Sequence, residues 1–185
     1  VIPARFDAQR FSGKLLADLN GKTVLQRTYE AVVNTNLFDA VWVATDSDAI
    51  ASHVAEIGGQ VFRSKLQHDC GSNRVAECAE QLNADVIVNV QGDEPHIPVD
   101  IIRQVAQNLA QHPEAVMATL ACAITTPAEL MNPNAVKVVT GHDSMALYFS
   151  RAPVPWPRDA FARSPRELPA ADCWARHVGI YAYRC

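Results

Sequence analysis

Two clusters of residues along this sequence have types and spacings that could do chemistry. In the first, Ile2-Pro3-Ala4-Arg5 runs on to Arg10-Phe11-Ser12-Gly13-Lys14, so that Arg5, Arg10 and Lys14 share one loop around a glycine. Three cations on one loop repel one another unless an anion sits among them, and a glycine lets backbone N–H groups approach that anion closely. The second cluster is Val86-Ile87-Val88-Asn89-Val90-Gln91-Gly92-Asp93-Glu94-Pro95, an apolar strand that ends in carboxylates. A carboxylate at a buried strand end is costly without a cation. Mg²⁺ suits Asp93, because it binds carboxylate together with substrate phosphate oxygens and retained waters. Gln91 supplies an amide able to read a sugar or base edge. A polyanion cradle facing a metal carboxylate is what nucleotidyl transfer from a nucleoside triphosphate requires. The cradle is not a Walker loop, since G-x-x-x-x-G-K-[ST] is absent. Each cluster also has a plainer reading, a solvated basic loop and a loop-bracing acid pair. Their placement directly after apolar strands favours phosphate and metal.

A third segment, His68-Asp69-Cys70-Gly71-Ser72-Asn73-Arg74, is a polar turn entering a helix. Ser72 reads there as a helix cap, and hydroxyl, backbone N–H groups and Arg74 would also suit a base or phosphate. No pair of histidines has metal-ligand spacing. His177, beside Arg176 and ahead of Gly179-Ile180-Tyr181, is the one retained as a candidate.

The elements that must position these residues alternate strand and helix. A strand at Val1-Ile2 precedes the cationic loop, and Val24, Leu25, Thr28 and Val32 fall at helical spacing. Ala40 to Thr45 is a continuous apolar run, the mark of a strand covered on both faces. Asp46 or Ser47 then caps a helix carrying Ile50, Val54 and Ile57, which Gly58-Gly59 stops. A short strand over 60–63, a helix with Val75 and Cys78, the strand 86–90 and a helix opened by Pro98 follow. Further strands are expected over 116–123, 136–140 and 145–149. Helices between apolar strands imply right-handed crossovers and a Rossmann-like, doubly wound, mostly parallel α/β sheet, with ligands at the carboxyl ends of its strands. One domain over 1–185 is expected, with an aperiodic, Pro- and Arg-rich loop excursion at about 151–172. Val1-Ile2 reads as the end of a strand and Gly179 to Tyr183 as a strand with nothing after it, so the expected domain is incomplete, truncated at both ends.

With 185 residues, 49% of them apolar, the chain can bury one full core. A formal charge of −4 argues against nucleic acid or an anionic membrane as partner and leaves any polyanion to a local cluster. Five cysteines without a C-x-x-C pair fit reduced thiols in the cytoplasm rather than a disulfide frame. No run approaches the ~18 apolar residues of a membrane span.

These residues carry a resemblance. The chain resembles the 3-deoxy-manno-octulosonate cytidylyltransferases, the CMP-Kdo synthetases of Gram-negative lipopolysaccharide synthesis. The likeness runs from Val1 to Cys185 and extends into Asn132-Pro133-Asn134-Ala135-Val136-Lys137-Val138-Val139, Ala146-Leu147-Tyr148-Phe149-Ser150-Arg151 and His177-Val178-Gly179-Ile180-Tyr181. It implies the nucleotide-diphospho-sugar transferase fold and a reaction in which CTP and Kdo give CMP-Kdo and pyrophosphate. It further implies that Arg5, Arg10, Lys14 and Mg²⁺ neutralise the triphosphate, with Asp93 as the metal ligand. Arg10 and Lys14 would hold phosphates, with Ser72, Arg74 and Gln91 around the cytidine. Tyr148, Ser150, Arg151, His177 and Tyr181 would line the sugar site, where Arg151 could pair bidentately with the Kdo carboxylate. A homodimer and a second metal-binding aspartate beyond Cys185 are expected on the same ground. The chain departs from the family pattern at Ser12, where proline is usual, and at Cys70 and Asn73 in the H-x-S-G-T-[ED]-R motif. Two other readings stay open: a cytidylyltransferase for another acidic sugar, of the sialic acid or amino-Kdo type, and a non-catalytic nucleotide- or sugar-binding paralogue.

Overall fold

The computed structural model describes residues 1–6, 12–66, 68–162 and 174–185. Contacts divide the chain into two compact units, one made of Val1–Ala118 with Ile180–Cys185 and the other of Thr119–Gly179.

In the first unit, β1 (Ile2–Ala4), β2 (Trp42–Thr45) and β3 (Gln60–Arg63) form a parallel ladder in the order β1-β2-β3. On the other side of β1 lies β4 (Val86–Asn89): the Val1 amine donates to Val88 O at 2.7 Å and Val90 N to Val1 O at 3.1 Å. These two bonds have the slanted pattern of a parallel pair. The last half of β8 (Ala175–Arg184) closes this side, antiparallel to β4 with Asn89 opposite Tyr181. Sequence order therefore reverses between β1 and β4, which makes the carboxyl ends of those strands the topological switch point.

The crossover helices form where the sequence places them. Thr23 caps α1 (Val24–Val33) by accepting from Gln26 N, and Ser47 caps α2 (Asp48–Glu56) by accepting from Ile50 N. The helices α3 (Gly71–Ala79) and α4 (Val99–Gln111) complete the set, and each buries one stripe: Leu25, Thr28 and Val32 on α1, Ile102, Val105 and Leu109 on α4. The cap of α3 differs from expectation. Cys70 is the capping residue and makes no side-chain cap bond, while exposed Ser72 lies inside the first turn.

The second unit holds the end of β5 (Met117–Ala123), α5 (Pro127–Met131), β6 (Lys137–Thr140), β7 (Ala146–Ser150), α6 (Arg158–Phe161) and the start of β8. Its ladders are antiparallel: β6 pairs with β7 and with the Ala175–Arg176 end of β8. The β6–β7 connection is too short for a crossover and closes as a turn, with Gly141 N bonded to Met145 O at 2.8 Å and Ser144 at φ +64°. The expected doubly wound parallel order thus holds for β1 to β4 and gives way to antiparallel pairing afterwards. Ile124, Leu130, Phe161 and Trp174 pack as this unit's core. Two elements were not anticipated. In α5 a T-P-x-E start was present in the sequence, with Thr126 capping and Pro127 in the first turn, and α6 lies within the segment expected to be aperiodic. Residues 163–172 of that excursion lie outside the described residues.

Candidate active site

A cleft of about 320 Å³ opens at the switch point, lined by Pro3, Arg5, Lys14, Leu15, Asp69, Cys70, Gly71, Arg74, Gln91, Gly92 and Asp93. It gathers five of the residues singled out in the sequence: Arg5, Lys14, Arg74, Gln91 and Asp93. Arg10 lies outside the described residues, and Ser72 does not line the cleft. A second hollow, lined by Arg5, Phe6, Asp46, Ser47, Ala49, His68 and Arg74, shares both arginines. A further cavity at the amino ends of the strands is lined by apolar side chains such as Val41, Trp42 and Val86, with Asp39 and Asp85 its only ionisable side chains, and brings no cationic side chain to a phosphate.

Each wall of the cleft is fixed by a specific contact. Gly13, at φ +74°, donates its N–H to Phe6 O at 2.9 Å and turns the chain into the single 3₁₀ turn that carries Lys14. Gly92 sits in close quarters: a Cβ there would stand 3.1 Å from Pro3 O and 3.4 Å from Leu15 Cδ1. The fully buried Thr28 hydroxyl lies 3.0 Å from Gly92 O and 3.1 Å from Val24 O, tying the Gly92-Asp93 loop to α1.

Asp93 is where the structure departs most from expectation. Its side chain is 45% exposed, and Oδ2 pairs with Lys14 Nζ at 2.7 Å. The apolar burial of β4 stops at Val90 and Gly92, and the loop then turns outward, so Asp93 is not the buried, cation-starved carboxylate expected. Asp93 is instead an accessible carboxylate in the wall of the cleft, with a cation as its present partner. Among the described residues no group of three or more His, Cys, Asp or Glu side chains is arranged to hold a metal.

Arg74 is almost completely buried. Its Nη2 donates to Asp46 Oδ2 at 2.6 Å, and its Nε has no hydrogen-bond partner among the described residues. Asp46 was read from the sequence only as a possible cap, a role that Ser47 fills.

The His68–Arg74 turn is braced by a residue the sequence reading missed. Glu77, on α3, accepts from Ser64 Oγ, from Lys65 N at 2.9 Å and from His68 Nε2 at 2.7 Å. These donors, the Ser64 hydroxyl first and His68 next, hold its carboxyl down at about 2 from an ordinary 4.5. Because the folded-state value is the lower one, this contribution is complete above the unfolded carboxyl's range and is lost as pH falls from 4.5 toward 2. Thermal melts should therefore show Glu77→Gln less stable than the parent at neutral pH, with the gap closing in acid. A gap of constant size down to about pH 3 would refute the role given to the carboxylate.

The remaining expected site residues are described within their own units. In the second unit Tyr148 is exposed on β7, Ser150 Oγ accepts from Ala152 N at 3.0 Å, and Arg151 Nη1 donates to Pro133 O at 2.8 Å. His177 Nε2 lies 2.9 Å from Thr119 Oγ1, and its ring meets the edge of Phe149 with centroids 5.0 Å apart. Burial lowers its pKa, which favours the neutral imidazole. In the first unit, Tyr181 stacks on Tyr183 and burial raises its phenol pKa.

A parallel sheet with a cleft at its switch point, cations from the loop after the first strand and a carboxylate after the fourth together define an α/β nucleotidyltransferase. The chain belongs to the cytidylyltransferase family, whose profile matches residues 1–185. It is 47% identical to the 3-deoxy-manno-octulosonate cytidylyltransferase of Christiangramia forsetii and 50% identical to that of Vibrio vulnificus, over all of this chain and 72% and 73% of theirs. A solved structure of CMP:2-keto-3-deoxy-manno-octonic acid synthetase complexed with CTP superposes with a TM-score of 0.88 at 38% identity, covering 99% of this chain and 72% of that one. The likeness to 4-diphosphocytidyl-2C-methyl-D-erythritol synthase of Anaerococcus prevotii, at a TM-score of 0.57 and 10% identity, is one of fold alone.

Proposed function

We propose that this protein activates Kdo with CTP, giving CMP-Kdo and pyrophosphate for lipopolysaccharide synthesis. The observation that carries the reading is the convergence of Arg5, Lys14, Arg74, Gln91 and Asp93 on one cleft at the switch point, in a chain about half identical to enzymes named for this reaction. Arg5 and Lys14, with Arg10 from the same loop, bind the triphosphate and neutralise its charge, and Arg74 borders the cytidine. Gln91 faces the nucleoside, and the bare backbone at Gly92 leaves room for it. The anomeric hydroxyl of the acceptor attacks the α-phosphorus of CTP; the new P–O bond forms as the bond to pyrophosphate breaks. The chain's contribution is alignment and electrostatics rather than covalent chemistry.

Asp93 fits a small, hard divalent cation such as Mg²⁺, which needs only one or two carboxylates and completes its shell with phosphate oxygens and water. Such an ion would supply charge neutralisation at the phosphates. In the second unit, Tyr148, Ser150, Arg151 and His177, and in the first Tyr181, are assigned to the acceptor, with Arg151 on its carboxylate. The match of one family profile to residues 1–185 supports reading the chain as a single nucleotidyltransferase domain. Among the described residues no helix is long and apolar enough to cross a membrane. On the family resemblance, we expect a cytoplasmic homodimer.

The test is pyrophosphate release from CTP and Mg²⁺ with Kdo, amino-Kdo or sialic acid as acceptor. Release with Kdo alone is the expected result. Release with another acid alone would move the protein to a different acceptor, and nucleotide binding without release with any of them would make it a binding paralogue.

A further inference from the structure

We propose that Lys137 is a positioning residue for the acceptor site, fixing the backbone from which Arg151 projects. The inference rests on the assignment of Arg151 to the sugar carboxylate. Lys137 lies on β6 opposite Ser150 of β7, and its side chain is fully buried. Lysine is almost never found in that state without partners, because desolvating an ammonium is expensive. Here all three N–H donors are used on backbone carbonyls: Asn132 O at 2.8 Å, Ala135 O at 2.8 Å and Arg151 O at 2.9 Å.

The arrangement is reciprocal. Two of those carbonyls belong to the turn between α5 and β6, and the third belongs to the residue just after β7. Arg151 returns the contact, its Nη1 donating to Pro133 O in the middle of the same turn at 2.8 Å. The turn, the end of β7 and one arm of the guanidinium are thus locked in a closed ring of hydrogen bonds. Arg151 itself stays exposed, with only one of its five N–H donors spent on the ring. A methionine would fill the space of Lys137 without the desolvation cost, so its ammonium is explained by what it holds. Two like charges serving one turn, one buried and one exposed, also make an anion on the exposed one favourable.

The experiment compares Lys137→Met and Arg151→Ala, alone and combined, by steady-state pyrophosphate release and thermal melting. Lys137→Met should raise the KM for Kdo about tenfold while leaving the KM for CTP within about twofold. The double variant should be no worse than Arg151→Ala, because the lysine acts through the arginine. An equal rise in both KM values, or a lowered melting temperature with both unchanged, overturns the proposal in favour of a purely structural lysine. Raised KM for Kdo in Arg151→Ala beside an unchanged value in Lys137→Met overturns this inference alone. An unchanged value in Arg151→Ala removes the assignment of Arg151 and the inference with it. Should Lys137→Met not fold, Lys137→Gln, which retains two N–H donors, is measured against the same criteria.

Discussion

Replacing Asp93 by Asn is expected to abolish turnover, lowering kcat by about 10²–10³-fold or more, while leaving the fold intact. The side chain is exposed and among the described residues its ion-pair partner is Lys14, also exposed, so losing the charge removes a surface pair of small energetic value. The shape is conserved, and Gly92 and Thr28, which fix the loop, are untouched. The deficit should therefore appear in kcat and in the divalent-ion requirement, with a melting temperature close to that of the parent. Parental turnover in Asp93→Asn would remove the carboxylate from the mechanism.

The second large effect is expected at Arg74. Arg74 is a buried guanidinium in the lining of the cleft that gives Nη2 to Asp46, while its buried Nε has no partner among the described residues. On the proposed function, its place in the lining of the cleft sets this cation against the bound nucleotide. Arg74→Met should raise the KM for CTP by about 10- to 100-fold, the loss of one or two hydrogen bonds to a charged group. The KM for the acceptor should change far less. Because the substitution also leaves Asp46 unpaired, Asp46→Asn is the control: if it alone reproduces the CTP defect, the arginine acts through that carboxylate and not on nucleotide.

The parallel half of the fold was legible because its signals are local. The apolar run ending at Thr45, the cap at Ser47 and the proline before α4 each announce an element within a few residues. Strand direction after β4 was not, since short apolar segments read alike whether they pair parallel or antiparallel. The site was legible as residue types at strand ends. What escaped were partners far apart in sequence: Asp46 with Arg74, 28 residues on, and the Thr28 hydroxyl beside Gly92 O, 64 residues on. The exposure of Asp93 escaped for a related reason. The burial of a strand says nothing of how the chain turns once the strand has ended.

The pairing of Lys14 with Asp93 bears on the order of events in solution. On the proposed assignment, a divalent ion arriving alone finds its carboxylate engaged, and a triphosphate arriving alone finds its lysine engaged. Each must break the same contact, so whichever binds first has already met that cost for the other. An exposed pair of this kind is worth up to about 1 kcal/mol, which corresponds to heterotropic cooperativity of about fivefold between ion and nucleotide. The resting protein would on this account favour the metal–nucleotide complex over bare phosphates or free cations, through a contact that must itself come apart before the substrate is held.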